Sequence, residues 1–186
     1  DHTPCTVMTD PDYSYDICVE GGCLSPGACG DATCNSPGPQ FSMSPAVGHA
    51  DFTRTADLEP VVTDNATGLV WQGCAAGLSG RDCATGGAAT YTWQNALAHC
   101  DGLSWAGHAD WRLPDSHELQ SIVDYGSSGP AIDQIAFPLT PSSDFWSSSS
   151  CAADSSYAWL VSFGNGYVNL YGKVNGYNVR CVRGGS

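Results

Sequence analysis

Three histidines and two acidic residues lie close together in the middle of the sequence, where they could bind a metal ion or act as an acid–base pair. His99, His108 and His117 fall near Asp110 and Glu118, and imidazole and carboxylate groups are common metal ligands and proton carriers. We expect His99 and His117 to be solvated, because both occupy helix positions away from the predicted apolar faces. The sequence contains no GxSxG, HExxH or P-loop motif. It therefore predicts a non-catalytic protein.

Arg112 and Glu118 could together orient a substrate carboxylate, but the surrounding sequence favours a structural pair. Residues 111–124 read WRLPDSHELQSIVD. Pro114 disfavours helix at the residue before it, and Asp115 forms a capping box with Glu118 three residues later. A helix therefore begins just after the proline. We predict a buried bidentate ion pair at this turn, and the loss of either partner would cost roughly 3 to 5 kcal/mol.

Apolar spacing predicts two helices and then a series of strands. The first helix opens at Thr92, and strands are expected over 157–163, 167–171 and 177–182, with hairpin turns at 164–166 and 174–176. Shorter β runs at 61–62 and 69–71 flank a turn. The helix residues expected to face a core are Trp93, Ala96, Leu97 and Cys100, then Leu119, Ile122 and Val123, and we also assign structural roles to Trp111, Trp146 and Trp159.

The outward positions of the last strands and turns are rich in tyrosine, asparagine and serine. Alternation places Val168, Leu170 and Val179 inward, so the polar and aromatic residues between them face outward. Such residues combine rigid amphipathic rings with adaptable hydrogen-bonding groups, as in antibody paratopes, and they also suit stacking on sugar rings. We therefore predict that they form the ligand-contact face. Its residues are Ser162, Asn165, Tyr167, Asn169, Tyr171, Asn175, Tyr177 and Asn178.

Composition indicates a secreted protein in an oxidising compartment. The 186 residues include ten cysteines and carry a net charge of −13, and cysteine at this density is typical of extracellular domains. No basic stripe is present to neutralise phosphates, which argues against a nucleic-acid partner. No apolar run approaches the about 18 residues of a membrane span. Because the chain starts at Asp1 without a methionine, we expect a mature form, released after signal-peptide removal and located outside the cell or at its surface.

The cysteines divide the chain into an arm and a main domain. We predict a disulfide-stabilised arm over 1–44, a connector with the first strand over 45–63, and the main domain over 64–186. Five cysteines on each side mean that full oxidation requires at least one bond between them. Cys74 and Cys83 flank a glycine-rich loop and most simply pair with each other, while a zinc site is the less favoured explanation for the arm, which lacks CxxC pairs. The arm holds Cys5, Cys18, Cys23, Cys29 and Cys34, and the main domain also holds Cys100, Cys151 and Cys181.

Seven ordered blocks resemble one known family. They are TGLVWQ, TWQNALAHC, GHADWRLP, LQSIVDY, PAID, FWSSS and VRCVRG, spread over residues 64–184. The chain is similar in these blocks to the C-terminal domain of the Legionella collagen-like adhesin, the Lcl C-terminal domain family. The resemblance implies an α+β, C-type-lectin-like fold with two helices, a small antiparallel sheet and long loops, distantly similar to formylglycine-generating enzymes.

The resemblance also implies particular bonds and excludes one activity. In the resembled fold the first helix is linked to the last strand, which corresponds to Cys100 and Cys181. That bond would close a loop of about 82 residues and stabilise the fold by about 4.5 kcal/mol in the chain-entropy model. Cys151 is then left to bond with the arm. Formylglycine generation needs two closely spaced late cysteines, a condition that Cys151 and Cys181 do not meet.

Calcium is the one ion that the lectin-like resemblance brings into consideration. Asp133, Asp144 and Asp154 could supply oxygen ligands. The Glu-Pro-Asn and Gln-Pro-Asp tripeptides typical of calcium-bridged sugar binding are absent. We therefore expect no resident metal or other cofactor in the main domain, and we keep calcium as the alternative.

Two functional hypotheses follow from these features. The first is a non-catalytic adhesion or recognition module at the cell surface, which binds a glycan or a surface protein through the face described above. The alternative is a structural subunit of an extracellular filament or homo-oligomer, in which the arm docks on a neighbouring copy. The resemblance implies glycosaminoglycan affinity, but the net charge of −13 argues against simple electrostatic capture of a sulfated polymer.

Overall fold

The computed structural model describes residues 51–184 and the backbone of two short strands nearer the N-terminus. The chain divides into two units, Asp1–Ser44 with Cys151–Ser155, and Pro45–Ser150 with Ser156–Ser186. Of the five arm cysteines only Cys18 and Cys23 lie in described backbone, and how any of the five pairs is outside the described part of the structure.

The structure confirms the predicted α+β class: it consists of small sheets and, within residues 51–184, two short helices. Of the strands, β11, β10, β9, β12 and β8 form a five-stranded sheet in that order, β13, β5, β4 and β3 form a four-stranded sheet, and β1–β2 and β6–β7 are separate antiparallel pairs. The bounds are β1 Cys18–Val19, β2 Gly22–Cys23, β3 Phe52–Arg54, β4 Val61–Asp64, β5 Val70–Gln72, β6 Leu78–Ser79, β7 Thr85–Gly86, β8 Thr90–Tyr91, α1 Trp93–Asp101, α2 Ser116–Ser121, β9 Asp144–Ser150, β10 Tyr157–Ser162, β11 Val168–Gly172, β12 Tyr177–Asn178 and β13 Val182–Arg183.

The turn between β4 and β5 is closed by the side chain of Asp64. Its Oδ1 atom accepts hydrogen bonds from the backbone N–H groups of Ala66, at 2.9 Å, and Thr67, at 3.2 Å. Gly68 then adopts a positive φ of 74°, which glycine tolerates without steric cost. The turn returns the chain so that β5 pairs antiparallel with β4.

Helix α1 begins where its sequence pattern predicts. Thr92 is the N-cap residue, and Ala96 and Cys100 are buried. Trp93 and Leu97 are half-buried and pack against the same core, so the four residues form one face. The expectation that His99 is solvated is wrong, because its ring stacks on Tyr91 with the centroids 4.7 Å apart.

Helix α2 has the predicted capping box. The Asp115 carboxylate accepts from the backbone N–H of Glu118 at 2.8 Å, and the Glu118 carboxylate accepts from the backbone N–H of Asp115 at 2.9 Å. The helix ends at Ser121, and Leu119, Ile122 and Val123 are buried as expected.

The Arg112–Glu118 pair is bidentate, but it is not buried. The two nitrogens donate to the two carboxylate oxygens at 2.7 and 2.5 Å. However, 44% of the Arg112 side chain and 18% of the Glu118 side chain are exposed. Solvent therefore weakens the pair, and the loss of 3 to 5 kcal/mol expected for a buried pair does not apply here.

Two apolar cores lie on opposite faces of the five-stranded sheet. In β9, Phe145 belongs to the first core and the next residue, Trp146, belongs to the second. In β10, Val161 belongs to the first core and the preceding residue, Leu160, belongs to the second. Because neighbouring strand residues point to opposite faces, β9 and β10 are buried on both sides. Helix α2 contributes side chains to the first core, and α1 contributes side chains to the second.

Two disulfide bonds join cysteines of the second unit. Cys74 bonds with Cys83, nine residues apart, and Cys100 bonds with Cys181, 81 residues apart. The second bond links α1 to the end of the chain, as the family resemblance implies. Cys151 is also disulfide-bonded, and the arm, where its partner is expected, is outside the described residues.

The single strand predicted over 177–182 is wrong. The chain forms β12, leaves the five-stranded sheet after Asn178, and enters the four-stranded sheet as β13. The predicted hairpin at 174–176 is also absent, since β12 pairs with β8 and β9 rather than with β11. Three buried residues, Val179, Arg180 and Cys181, occupy the crossing.

Arg180 fixes this crossing from inside the protein. Its guanidinium donates to the backbone oxygen of Gln72 and to Thr140 Oγ1, both at 2.7 Å, and lies over the Phe137 ring. Burial, with a smaller contribution from the Arg54 guanidinium, lowers the pKa of Arg180 to about 9. The side chain therefore connects the loop before β9 to β5 of the four-stranded sheet.

The capping box and the ion pair at Glu118 can be separated by mutation. Glu118→Ala removes the ion pair and the bond from the Asp115 N–H, but keeps the bond from the N–H at 118 to the Asp115 carboxylate. We expect it to lose about 1 to 2 kcal/mol of unfolding free energy in urea denaturation. Glu118→Gln keeps an oxygen for the Asp115 N–H and should lose less than about 1 kcal/mol. Equal losses of 3 kcal/mol or so in both variants would contradict the exposed position of the pair.

Candidate ligand-binding surface

Tyr171, which is exposed, and Tyr177, which is half-buried, form an aromatic pair on the second-core side of the five-stranded sheet. Their ring centroids are 5.4 Å apart, and 41% of Tyr171 is exposed. Tyr177 packs edge-on against the buried Trp146 ring, at 4.9 Å. The pair is therefore supported from below by the second core.

Two further aromatic residues extend this surface across β8 and the start of α1. Tyr91 is the direct cross-strand partner of Tyr177. The indole of Trp146 donates to the Tyr91 carbonyl at 2.9 Å, and the indole of Trp93 donates to the Ser147 carbonyl at 2.8 Å. These bonds fix the backbone of β8 and the Trp93 ring against β9.

Lys173 is the single lysine of the chain, and it lies beside these rings. Its Nζ atom is 3.9 Å from the centroid of Trp93 and donates to Ser150 Oγ at 2.6 Å. The ammonium thus takes part in a cation–π contact. We name the set Tyr91, Trp93, Tyr171, Lys173 and Tyr177 the aromatic surface.

The ionisation of the aromatic surface favours hydrogen-bond donation. Burial raises the pKa of the Tyr177 hydroxyl, and Tyr171 and Asp144 add to the increase. The phenol is therefore protonated at neutral pH. Elsewhere, Arg112 and Arg183 form ion pairs with carboxylates.

The model of the Lcl C-terminal domain matches residues 60–183, which is more than half of the chain. The chain belongs to the Lcl C-terminal domain family. This is an adhesin-type family and not a known enzyme family, which agrees with a role in adhesion and with a surface or extracellular location. No curated protein matches the chain.

This Lcl C-terminal domain brings together only part of the predicted contact face. Asn169 shares a face of β11 with Tyr171 and is half-buried, while Asn175 is exposed in the loop that leads to Tyr177. Asn165 and Tyr167 are exposed at the turn between β10 and β11, at the other end of the strand.

Ser162 and Asn178 are not exposed, contrary to prediction. Only 8% of Ser162 and 5% of Asn178 are accessible. Asn178 pairs with both β8 and β9, and its side-chain amide donates to the Asp144 carbonyl at 3.3 Å. Both residues are covered because β10 and β12 have neighbours on each side.

Sequence reasoning missed Tyr91, Trp93 and Lys173 as surface residues. Trp93 fits the apolar face of α1, so its pattern gives no sign of a partly exposed ring. The signal that was present is the position of the single lysine two residues after Tyr171.

Among residues 51–184, no group of three or more histidine, cysteine, aspartate or glutamate side chains is placed to hold a metal ion. Asp133, one of the proposed calcium ligands, uses Oδ1 to accept from the N–H groups of Ile135 and Ala136, at 2.7 and 3.1 Å. Likewise, no helix in this part of the chain has the length and apolarity to cross a membrane.

His99 supports one edge of the aromatic surface and gives it a pH dependence. Its Nε2 atom is buried and has no hydrogen-bond partner among the described residues. Burial lowers the pKa of His99 from its ordinary value of 6.5. The folded state therefore binds fewer protons than the unfolded chain below that value, and stability falls as the pH decreases from 6.5 towards the folded-state pKa.

We expect His99→Phe, which keeps an aromatic ring against Tyr91, to reduce the loss of unfolding free energy between about pH 7 and pH 5. The measurement is urea denaturation at several pH values. His117→Phe, at an exposed site on α2, is the matched control and should follow the parent. If the His99→Phe protein has the same pH slope as the parent, the buried imidazole does not contribute to it.

Proposed function

We propose that this domain attaches its parent protein to a glycan or protein ligand at the cell surface through the aromatic surface. The adhesin-type family supports a role in adhesion. The observation that carries the proposal is the exposed Tyr171 ring against the half-buried Tyr177 ring, which is held over the buried Trp146 ring. Tyrosines that are exposed yet fixed in orientation are typical of binding surfaces.

Packing beneath the aromatic surface reduces the entropic cost of binding. A side chain that is already ordered loses little freedom when a ligand arrives, so more of the contact energy is available for affinity. Tyr177 is held by Trp146, and Trp93 is held by its bond to the Ser147 carbonyl. The rings therefore offer amphipathic faces and hydroxyl groups without rearrangement.

Charge favours a ligand recognised by ring contact and hydrogen bonding. The chain has a net charge of −13 and a single lysine, so the long-range field repels polyanions. Lys173 can donate locally to a hydroxyl or carbonyl group of the ligand, beside the stacking faces of Trp93 and Tyr171. The apolar face of a sugar ring, or a mixed apolar and polar protein surface, has the matching chemistry.

We propose a C-type-lectin-like fold for the domain. Two helices, small sheets that are antiparallel except where β12 pairs parallel with β9, and a disulfide bond from the first helix to the C-terminal segment support it. Sugar contact in this proposal is independent of calcium, which agrees with the absence of the Glu-Pro-Asn and Gln-Pro-Asp tripeptides.

We also propose that the domain is not a catalyst. Cys181 is bonded to Cys100, and Cys151 is also in a disulfide bond. Neither late cysteine is therefore available as the thiol that formylglycine-type chemistry requires.

Tyr171→Ala tests the binding surface, and Tyr157→Ala provides a matched control. The two tyrosines are 41% and 40% exposed, and both are on the β10–β11 pair. We expect Tyr171→Ala to weaken binding to panels of immobilised neutral polysaccharides and matrix glycoproteins at least about tenfold, the loss typical of a hot-spot aromatic residue. Tyr157→Ala should bind like the parent, and both variants should keep the parent melting temperature.

The proposal fails if Tyr171→Ala binds as well as the parent to every ligand that the parent binds. It also fails if Tyr157→Ala is impaired to the same extent, because the effect would then not depend on the aromatic surface. Light scattering of the same samples separates direct binding from assembly of the domain.

A further inference from the structure

Two Asn-Gly pairs flank β11, and their chemistry differs from that of other asparagines. They are Asn165-Gly166 and Asn175-Gly176. In such a pair the backbone nitrogen of the glycine can attack the side-chain Cγ of asparagine, forming a C–N bond and releasing ammonia. Water then opens the cyclic imide, which leaves aspartate or isoaspartate. A glycine after the asparagine favours the reaction because it has no Cβ to hinder the approach.

The first pair is held in a geometry that opposes this reaction. The Gly166 N–H donates to the Ser162 carbonyl at 2.7 Å, and Asn165 Oδ1 accepts from the Tyr167 N–H at 3.1 Å. Gly166 is buried, and a Cβ at its position would lie 2.9 Å from atoms of Tyr125 and Val123. The attacking nitrogen is therefore engaged in a hydrogen bond, and Gly166 is closely packed against Tyr125 and Val123.

The second pair is open to the reaction. Asn175 and Gly176 are both exposed, and the Gly176 N–H has no hydrogen-bond acceptor among the described residues. A Cβ on Gly176 would meet only Thr90 atoms, at 3.4 Å or more. The Asn175 amide makes one bond, from Nδ2 to the Gly172 carbonyl at 3.0 Å, within the same exposed turn.

We infer that Asn175 is a site of spontaneous deamidation and that Asn165 is protected by the fold. The reaction consumes one water, releases one ammonia and needs no enzyme or oxidant. Its product places a new carboxylate two residues from Lys173, the only lysine of the chain. If the aromatic surface is the ligand-contact surface, as proposed above, this charge draws the ammonium away from the Trp93 ring and changes ligand binding with time.

Peptide mapping by mass spectrometry tests the site without any ligand. The folded, oxidised protein is incubated at mildly alkaline pH, and trypsin cleavage after Lys173 places Asn165 and Asn175 on different peptides. We expect conversion at Asn175 to be at least about tenfold faster than at Asn165, because Asn165 must wait for local opening of its turn. Equal rates, or faster conversion at Asn165, would overturn the inference.

A denatured control shows whether the fold is responsible. In reduced protein with denaturant, both sites should react at similar rates, since each asparagine precedes a glycine. If the tenfold difference persists there, local sequence and not structure sets it, and the protective role of the Gly166 bond is wrong. Gly176→Ala should slow conversion at Asn175 in the folded protein, which identifies the backbone nitrogen at 176 as the attacking group. These rates do not depend on ligand binding. The deamidation inference can therefore fail without the proposed binding function, and the reverse also holds.

Discussion

The disulfide bond between Cys100 and Cys181 is the constraint on which the described unit depends most. It joins the last turn of α1 to the segment where the chain leaves the five-stranded sheet and enters the four-stranded sheet. The β5 strand fixes the same segment, because the Gln72 N–H donates to the Cys181 carbonyl at 2.9 Å. A helix and two sheets are thus connected at one buried point. The covalent link acts mainly by restricting the unfolded chain.

The aromatic surface lies at the edge of the second core, which contains the Cys100–Cys181 bond. Helix α1 covers much of the second core, and Tyr91 and Trp93 lie at the start of the helix, where that cover ends. Tyr177 and Tyr171 continue the margin and rest on Trp146. The same packing that stabilises the domain therefore fixes the rings that are left exposed, so the proposed binding surface needs no flexible loop to form it.

Features that depend on a few neighbouring residues could be predicted from the sequence, such as the capping box of Asp115 and Glu118 and the buried face of α1. Strand alternation is also local, but it gives the face to which a residue points and not what covers that face. The prediction that Ser162 and Asn178 are exposed is wrong for this reason. The crossing at Arg180 depends on hydrogen-bond partners 108 and 40 residues away. In the sequence, the alternation of residues continues through 177–182, so no local pattern marks the point where the chain changes sheets. Exposure of the Glu118 ion pair likewise depends on distant chain segments.

The most direct test of this account compares removal of the Cys100–Cys181 bond with removal of the Cys74–Cys83 bond, each by double alanine substitution. In the chain-entropy model the long loop is worth about 4.5 kcal/mol and the short loop about 2.7 kcal/mol. Urea denaturation should show the larger loss for the Cys100–Cys181 variant, and hydrogen exchange should become faster at Tyr91, with smaller changes around α2. An equal or smaller loss than in the Cys74–Cys83 variant, with unchanged exchange at Tyr91, would contradict the claim that this bond holds the second core and its aromatic margin together.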